Sequence, residues 1–249
     1  MLRRLTVGLV LCLGVQLGGP GAQAADSSSP AVGRQAIEEV VRNYLKAHPE
    51  VVIEAIEAFK KKQERDELAD IRNAIDERWT QIQSDPGSPE GGNKAGDVTV
   101  VEFFDYRCGV CKRVHPIVAD LVKSDGKIRR VYKEWPILGP ESVFAARAAL
   151  ASRKQGKYLE FHKALMDERG ELNSDRVFAV ARSVGLDVAR LTRDMADPEI
   201  VAILQRNFAL ADALRINGTP SFVIGKELLR GARDLDTMRD LVARARRPG

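Results

Sequence analysis

A chain of 249 residues is long enough for one ordinary domain with an appended element, or for two modest domains. With 44% hydrophobic and 30% charged residues it has the composition of a soluble globular protein. A formal charge of +4 is small for this length and gives no reason to expect nucleic acid or a membrane surface as a partner.

Residues 1–24 read as a secretory signal: Arg3 and Arg4 make a positive start, Leu5 to Leu17 an apolar core, and Ala22-Gln23-Ala24 a small-x-small cleavage site. A membrane anchor is the competing reading. The apolar stretch is short for a span, and Gly8, Gly14, Gly18, Gly19 and Pro20 interrupt or end it. Cys12, between Leu11 and Leu13, lacks the small residue expected before a lipidated cysteine and is expected to leave with the signal. Cleavage after about Ala24 would lower the formal charge to about +2 and leave Cys108 and Cys111 as the remaining cysteines. A disulfide framework would need several spaced cysteines, so one close pair in an oxidising compartment reads as a working redox centre.

Residues 25–83 read as a helical arm. Ile37, Val40, Val41, Tyr44 and Leu45 share one helical face. His48-Pro49 interrupts, because proline disfavours helix at the residue before it. Val52, Ile56 and Phe59 then resume the pattern. The charged run Lys60 to Glu67 reads as a solvated face, followed by Leu68, Ile71, Ile75 and Ile82 at near-heptad spacing. About fifty residues cannot bury a useful core alone, so the stripe must pack on the chain's own domain or on copies of itself. Self-association is the favoured outcome. Residues 84–97, with the Pro/Gly/Ser-rich run Ser84 to Asn93, read as a flexible linker.

Residues 98–249 read as one α/β domain. Val98 to Phe104 is a buried strand, followed by the cysteine turn and a helix to about Lys123. Lys127 to Lys133 is a second strand. Residues 140–215 are almost entirely helical, broken at Gly156, Gly170, Gly185 and Pro198, with Asn173-Ser174 as a cap. Strands return at Ser221 to Gly225 and at Leu228-Leu229, and a last helix runs from about Asp234 to Arg246. The order is β–α–β, a helical insertion, then β–β–α.

The chemistry centres on Cys108-Gly109-Val110-Cys111. The first thiol falls at a helix N-terminus, where unpaired N–H groups and the helix dipole favour a thiolate, the species that attacks disulfides. Moving a thiol to a pKa of about 5 takes roughly 5 kcal/mol, and a helix terminus supplies about 1–2 kcal/mol. The remainder must come from hydrogen bonds to the sulfur and from cations such as Arg107, Lys112 and Arg113. A purely structural disulfide is the other reading, although so short a loop offers little entropic benefit.

Cys-x-x-Cys followed by Lys112, with Pro116 five residues after Cys111, resembles the active-site helix of the thioredoxin superfamily. Glu102-Phe103-Phe104 resembles the DsbA family, and Thr219-Pro220 before Ser221-Phe222-Val223 matches the position of the superfamily's cis-proline loop. The arm, from Ile37 to Leu45 and on through Pro49-Glu50-Val51, resembles that of the ScsC-like (suppressor of copper sensitivity) exported proteins. The resemblance implies a thioredoxin-like fold with a helical insertion and a periplasmic thiol–disulfide oxidoreductase. Disulfide isomerase or reductase activity is expected more than oxidase activity, with a link to copper tolerance and a homo-oligomer such as a trimer. Exported cysteine-containing clients and a membrane thiol reductase or oxidase that recycles the pair are the implied partners. No cofactor beyond the redox-active disulfide is expected.

The resemblance also implies roles for single residues. Cys108 is the attacking thiol and Cys111 the resolving one. Glu102 is the buried acid that assists proton transfer, unless it merely faces solvent at a strand edge. Thr219 and Pro220 pair with the client backbone, unless they form an ordinary trans turn. Asp105 belongs to the turn. Gly109-Val110 lacks the histidine of strongly oxidising relatives, which implies a milder oxidant. His115, one helical turn after Cys111, is a packing residue or the third ligand of a weaker alternative, a Cu(I) or zinc site with Cys108 and Cys111. A monomeric dithiol oxidase is the remaining alternative. Lys112 after Cys111 disfavours haem attachment, and the lack of a second cysteine pair disfavours a zinc ribbon.

Overall fold

The computed structural model describes residues 33–247. The signal reading of residues 1–24, with Cys12, lies outside them. Within these residues the chain divides into two units, residues 33–58 and 59–247.

In the first unit, α1 (Arg34–Ala47) stops at His48, whose N–H donates to the Tyr44 carbonyl. The following proline keeps His48 out of helical geometry, and α2 (Glu50–Glu77) starts afresh. Among the described residues α1 buries none, and Ile37, Val40, Val41, Tyr44, Val52, Ile53 and Ile56 are exposed.

The second unit is organised by a five-stranded sheet in the order β1-β3-β2-β4-β5. Its strands are β1 (Glu90–Gly92), β2 (Val98–Phe104), β3 (Ile128–Glu134), β4 (Ser221–Ile224) and β5 (Glu227–Arg230). β2 and β3 are parallel, joined through α4 (Gly109–Asp125), and every other pairing is antiparallel. Alternation along β2 gives each face its own core. Val101 and Phe103 pack with Ile71 and Ile75 of α2, Ile82 of α3 (Trp79–Gln83) and Leu210 of α9 (Pro198–Ala213). Val98 and Val100 pack with Val114, Val118 and Leu121 of α4 and with Met238 and Leu241 of α10 (Leu235–Ala245).

The helical insertion falls where the sequence predicts it, as α5 (Pro140–Ser152), α6 (Tyr158–Asp167), α7 (Ser174–Ser183), α8 (Val188–Asp194) and α9. Asn173 caps α7 by accepting from the Arg176 N–H, an orphan donor that an Asn side chain satisfies.

Two boundaries differ from the sequence reading. The arm does not run to residue 83, because Ile71, Ile75 and Ile82 are core residues of the second unit. Periodicity reports which face is apolar, not what covers it. Residues 84–97 are not a free linker either. β1 pairs with β3, and Gly87, Ser88 and Pro89 are buried. Gly92 takes φ +67°, where a Cβ would meet the Ile128 carbonyl oxygen at 2.5 Å. Pro, Gly and Ser suit a tight, pinned edge connection as well as a mobile one.

Candidate active site

The end of β2 delivers Asp105-Tyr106-Arg107 into a turn that closes on the first thiol. Asp105 is buried and fully used: one carboxylate oxygen accepts from the Arg107 N–H and the Ser142 hydroxyl, the other from the N–H groups of Ile137 and Leu138. It therefore serves the turn, as the sequence reading has it. Cys108 is the N-cap of α4, and its sulfur accepts from the Cys111 N–H at 3.4 Å.

Both cysteines are free thiols, with Cys108 8% exposed and Cys111 fully buried. A hydrogen bond from the Cys111 thiol is the largest influence on Cys108. With the Thr219 side chain and the Cys111 and Val110 N–H groups, it outweighs burial and holds Cys108 down at about 5. The same bond, together with burial, pushes the Cys111 thiol far up. Two of the three cations expected to help point elsewhere. Arg107 binds the Leu138 carbonyl and the Glu141 carboxylate, and Lys112 binds the Glu168 carbonyl at the end of α6.

Thr219-Pro220 is cis, and it lies against the pair: Cys108 Sγ, as a thiol, donates to the Thr219 carbonyl oxygen at 3.4 Å. Pro220 is buried and Thr219 half-buried. Glu102 is not at a strand edge. It sits on the central strand between Tyr132 and Phe222, 1% exposed, on the face of β2 that looks toward α4. One carboxylate oxygen takes a hydrogen bond from buried Arg130, and the other has no partner among the described residues. Glu102 is also among the charges that push Cys111 upward.

Behind these groups lies a buried polar cluster. Tyr106 and Tyr158 both donate to Glu134 Oε1 at 2.8 Å, and the Tyr106 oxygen lies 3.0 Å from His162 Nδ1. Arg130 stacks over the Tyr132 ring at 4.6 Å. His115 is 6% exposed, with its ring 5.2 Å from that of His162.

A family model described as "DSBA-like thioredoxin domain" matches residues 99–243, more than half of the chain. The chain belongs to the DsbA-like thioredoxin family. A second model, "Copper resistance protein ScsC N-terminal domain", matches residues 34–65 and makes this DsbA-like protein ScsC-like. Among solved structures, a thioredoxin-like oxidoreductase from Silicibacter pomeroyi DSS-3 is 50% identical, with a TM-score of 0.67 over 68% of this chain and 98% of that one. ScsC of Proteus mirabilis in a transitional conformation is 28% identical, with a TM-score of 0.66 over 85% of this chain and 95% of that one. Among curated proteins, the Na(+)/H(+) antiporter NhaA 1 of Salinispora arenicola (strain CNS-205) is 29% identical over 156 residues, or 62% of this chain. The chain spans 24% of that protein's length.

In this DsbA-like setting the two thiols are chemically unlike. Cys108 is a thiolate at neutral pH and can attack a disulfide. Cys111 keeps its proton until a base takes it, and can then attack the Cys108 sulfur of a mixed disulfide. Burial depresses His115 to about 4, so it is a neutral packing imidazole. No group of three His, Cys, Asp or Glu side chains in metal-binding geometry occurs among the described residues. Sequence reasoning missed Arg130, Glu134, Tyr158 and His162. The first two carried a signal: charged residues in a strand of a β–α–β unit, where both faces are covered, need a partner.

Proposed function

We propose that this DsbA-like oxidoreductase is an exported disulfide isomerase or reductase acting on cysteine-containing periplasmic clients. Cys108 attacks a client disulfide, Cys111 resolves the mixed disulfide, Glu102 receives the resolving proton, and Thr219-Pro220 holds the client backbone. The low Cys108 and high Cys111 support the exchange step. What carries the isomerase reading is the unpartnered apolar face of Ile37, Val40, Val41, Ile53 and Ile56. Covered by copies of itself, as a trimer or similar oligomer, that face would bring several thiol pairs to one misfolded client and raise their effective concentration. Export rests on the sequence of residues 1–24. The match of residues 34–65 to the ScsC N-terminal domain supports a link to copper tolerance. A membrane thiol reductase would keep the pair reduced.

Refolding of a scrambled disulfide substrate tests this, with light scattering for mass. The comparison is between the mature chain and one lacking residues 25–58, since a longer deletion would remove Ile71, Ile75 and Ile82 from the core. Isomerase activity should fall with the mass while simple dithiol oxidation persists. A monomeric full-length protein with strong oxidase and no isomerase activity would falsify the proposal.

A further inference from the structure

The cluster around Glu134 has no part in the exchange step described above, yet it is built into the thiol turn. Glu134 ends β3 on the same face as Arg130 and Tyr132, and it is 1% exposed. Two tyrosine hydroxyls donate to its Oε1, and Oε2 has no partner among the described residues. Because Tyr106 spends its proton on Glu134, the 3.0 Å contact with His162 Nδ1 makes that nitrogen the donor, with the proton on Nδ1. A continuous chain results: His162 Nδ1–H to Tyr106 O, and Tyr106 O–H to Glu134. Tyr106 lies two residues before Cys108, and Tyr106, Tyr158, Cys108 and Cys111 share one core cluster.

We propose that Glu134 is a redox-linked proton acceptor for the Cys108–Cys111 pair, acting through Tyr106. It touches neither sulfur, so it is a positioning residue rather than a catalytic one. The inference rests on thiol–disulfide exchange at this pair. When a client dithiol reduces the pair, the Cys108–Cys111 bond breaks and a disulfide forms in the client. The client gives up two protons: one stays on Cys111, and Cys108 remains a thiolate. The second proton goes to water or, where Glu134 is ionised, to Glu134. A new thiolate in a water-poor site makes a nearby carboxylate costlier, which draws that proton in.

The surroundings set the window. β2 and its turn present Glu102 and Asp105; β3 presents Arg130 and Tyr132. α4 presents His115, α6 presents Tyr158 and His162, and Asn207 of α9 donates to the Glu134 carbonyl at 3.0 Å. With the pair reduced, burial above all, and repulsion from Asp105 and Glu102, raise Glu134 to about 8 despite the two tyrosine bonds. Opening the disulfide thus adds proton uptake between the lower value Glu134 has with the pair oxidised and about pH 8, and none well above it.

The pair's own reduction potential between pH 6 and 8 tests this, read by equilibrating the full-length protein with glutathione and subtracting glutathione's own dependence of two protons per two electrons. A couple taking one proton per two electrons changes its equilibrium constant tenfold per pH unit, about 30 mV, and two protons make that a hundredfold, about 59 mV. The wild-type dependence is expected to exceed tenfold. In Glu134→Gln, which keeps the acceptor for both tyrosines, it should fall back toward tenfold, and in Tyr106→Phe it should fall part of the way. Glu102→Gln should leave the Glu134 excess in place. A Glu134→Gln protein with the wild-type slope overturns the inference. Independently of that variant, the reduced-minus-oxidised infrared spectrum of Glu102→Gln should gain a protonated-carboxyl band, and its absence also overturns the inference. A pair that never equilibrates with glutathione overturns the exchange reading itself.

Discussion

Replacing Cys111 by alanine asks what holds the Cys108 thiolate. In the structure the Cys111 thiol is the largest influence lowering Cys108 to about 5, while the Cys111 N–H, at 3.4 Å, is a separate donor that alanine keeps. A hydrogen bond to a charged acceptor is worth about 1.5–3 kcal/mol, and one pKa unit is about 1.4 kcal/mol. Cys111→Ala should therefore raise Cys108 by about one to two units, to about 6–7, and Cys111→Ser, which restores a donor, should leave it near 5. At pH 6 the thiolate fraction would fall from about nine-tenths to between a half and a tenth. Alkylation rate at a single pH is a poor readout, because a more basic thiolate is also more nucleophilic and offsets the smaller fraction. The midpoint of the thiolate ultraviolet absorbance against pH is the right measurement. An unchanged midpoint in Cys111→Ala would mean that the helix N-terminus and its N–H groups hold the charge alone.

Three further outcomes follow from the same geometry. Glu134 is raised from an ordinary value of 4.5 to about 8 when folded, so the stability it allows is present below 4.5 and is lost as pH rises through 8. Urea unfolding should show Glu134→Gln gaining on the wild type by up to about 5 kcal/mol across that window and levelling off above it; a gap independent of pH would refute the assignment. Arg130→Met should cost about 3–5 kcal/mol, because it strands the buried Glu102 carboxylate, and Glu102→Gln with Arg130→Met should recover most of that. Equal stability of Arg130→Met and wild type would count against a charged pair. Val41→Asp with Ile56→Asp should reduce the mass seen by light scattering to that of a monomer while Cys108 keeps its reactivity, and an unchanged mass would show that this face is not the interface.

The thiol turn, the Thr219-Pro220 loop and the cap of α7 were legible in the sequence because their causes are local. A cysteine at a helix start, a proline after threonine before a strand, and an asparagine opening α7 carry their chemistry in neighbouring residues. Glu102 was legible only as an acid on a strand: its burial depends on Tyr132 and Phe222 flanking it. Arg107 and Lys112 misled, since sequence proximity to a sulfur says nothing about which carbonyl a long side chain reaches. Glu134 meets Tyr106 and Tyr158 across 28 and 24 residues, and His162 meets Tyr106 across 56, distances over which no periodicity carries information.

Taken alone, the sequence determined the order of elements, the redox pair and the apolar stripe, because propensity, capping and spacing act within a few residues. Only the tertiary structure decided that Ile71, Ile75 and Ile82 belong to the core, that residues 90–92 form a strand, and that a buried acid stands behind the thiol turn. Burial is a property of what the rest of the chain brings to a residue. A hydrogen bond between the two sulfurs, with burial behind it, separates Cys108 from Cys111, and burial above all raises Glu134 into the range of neutral pH.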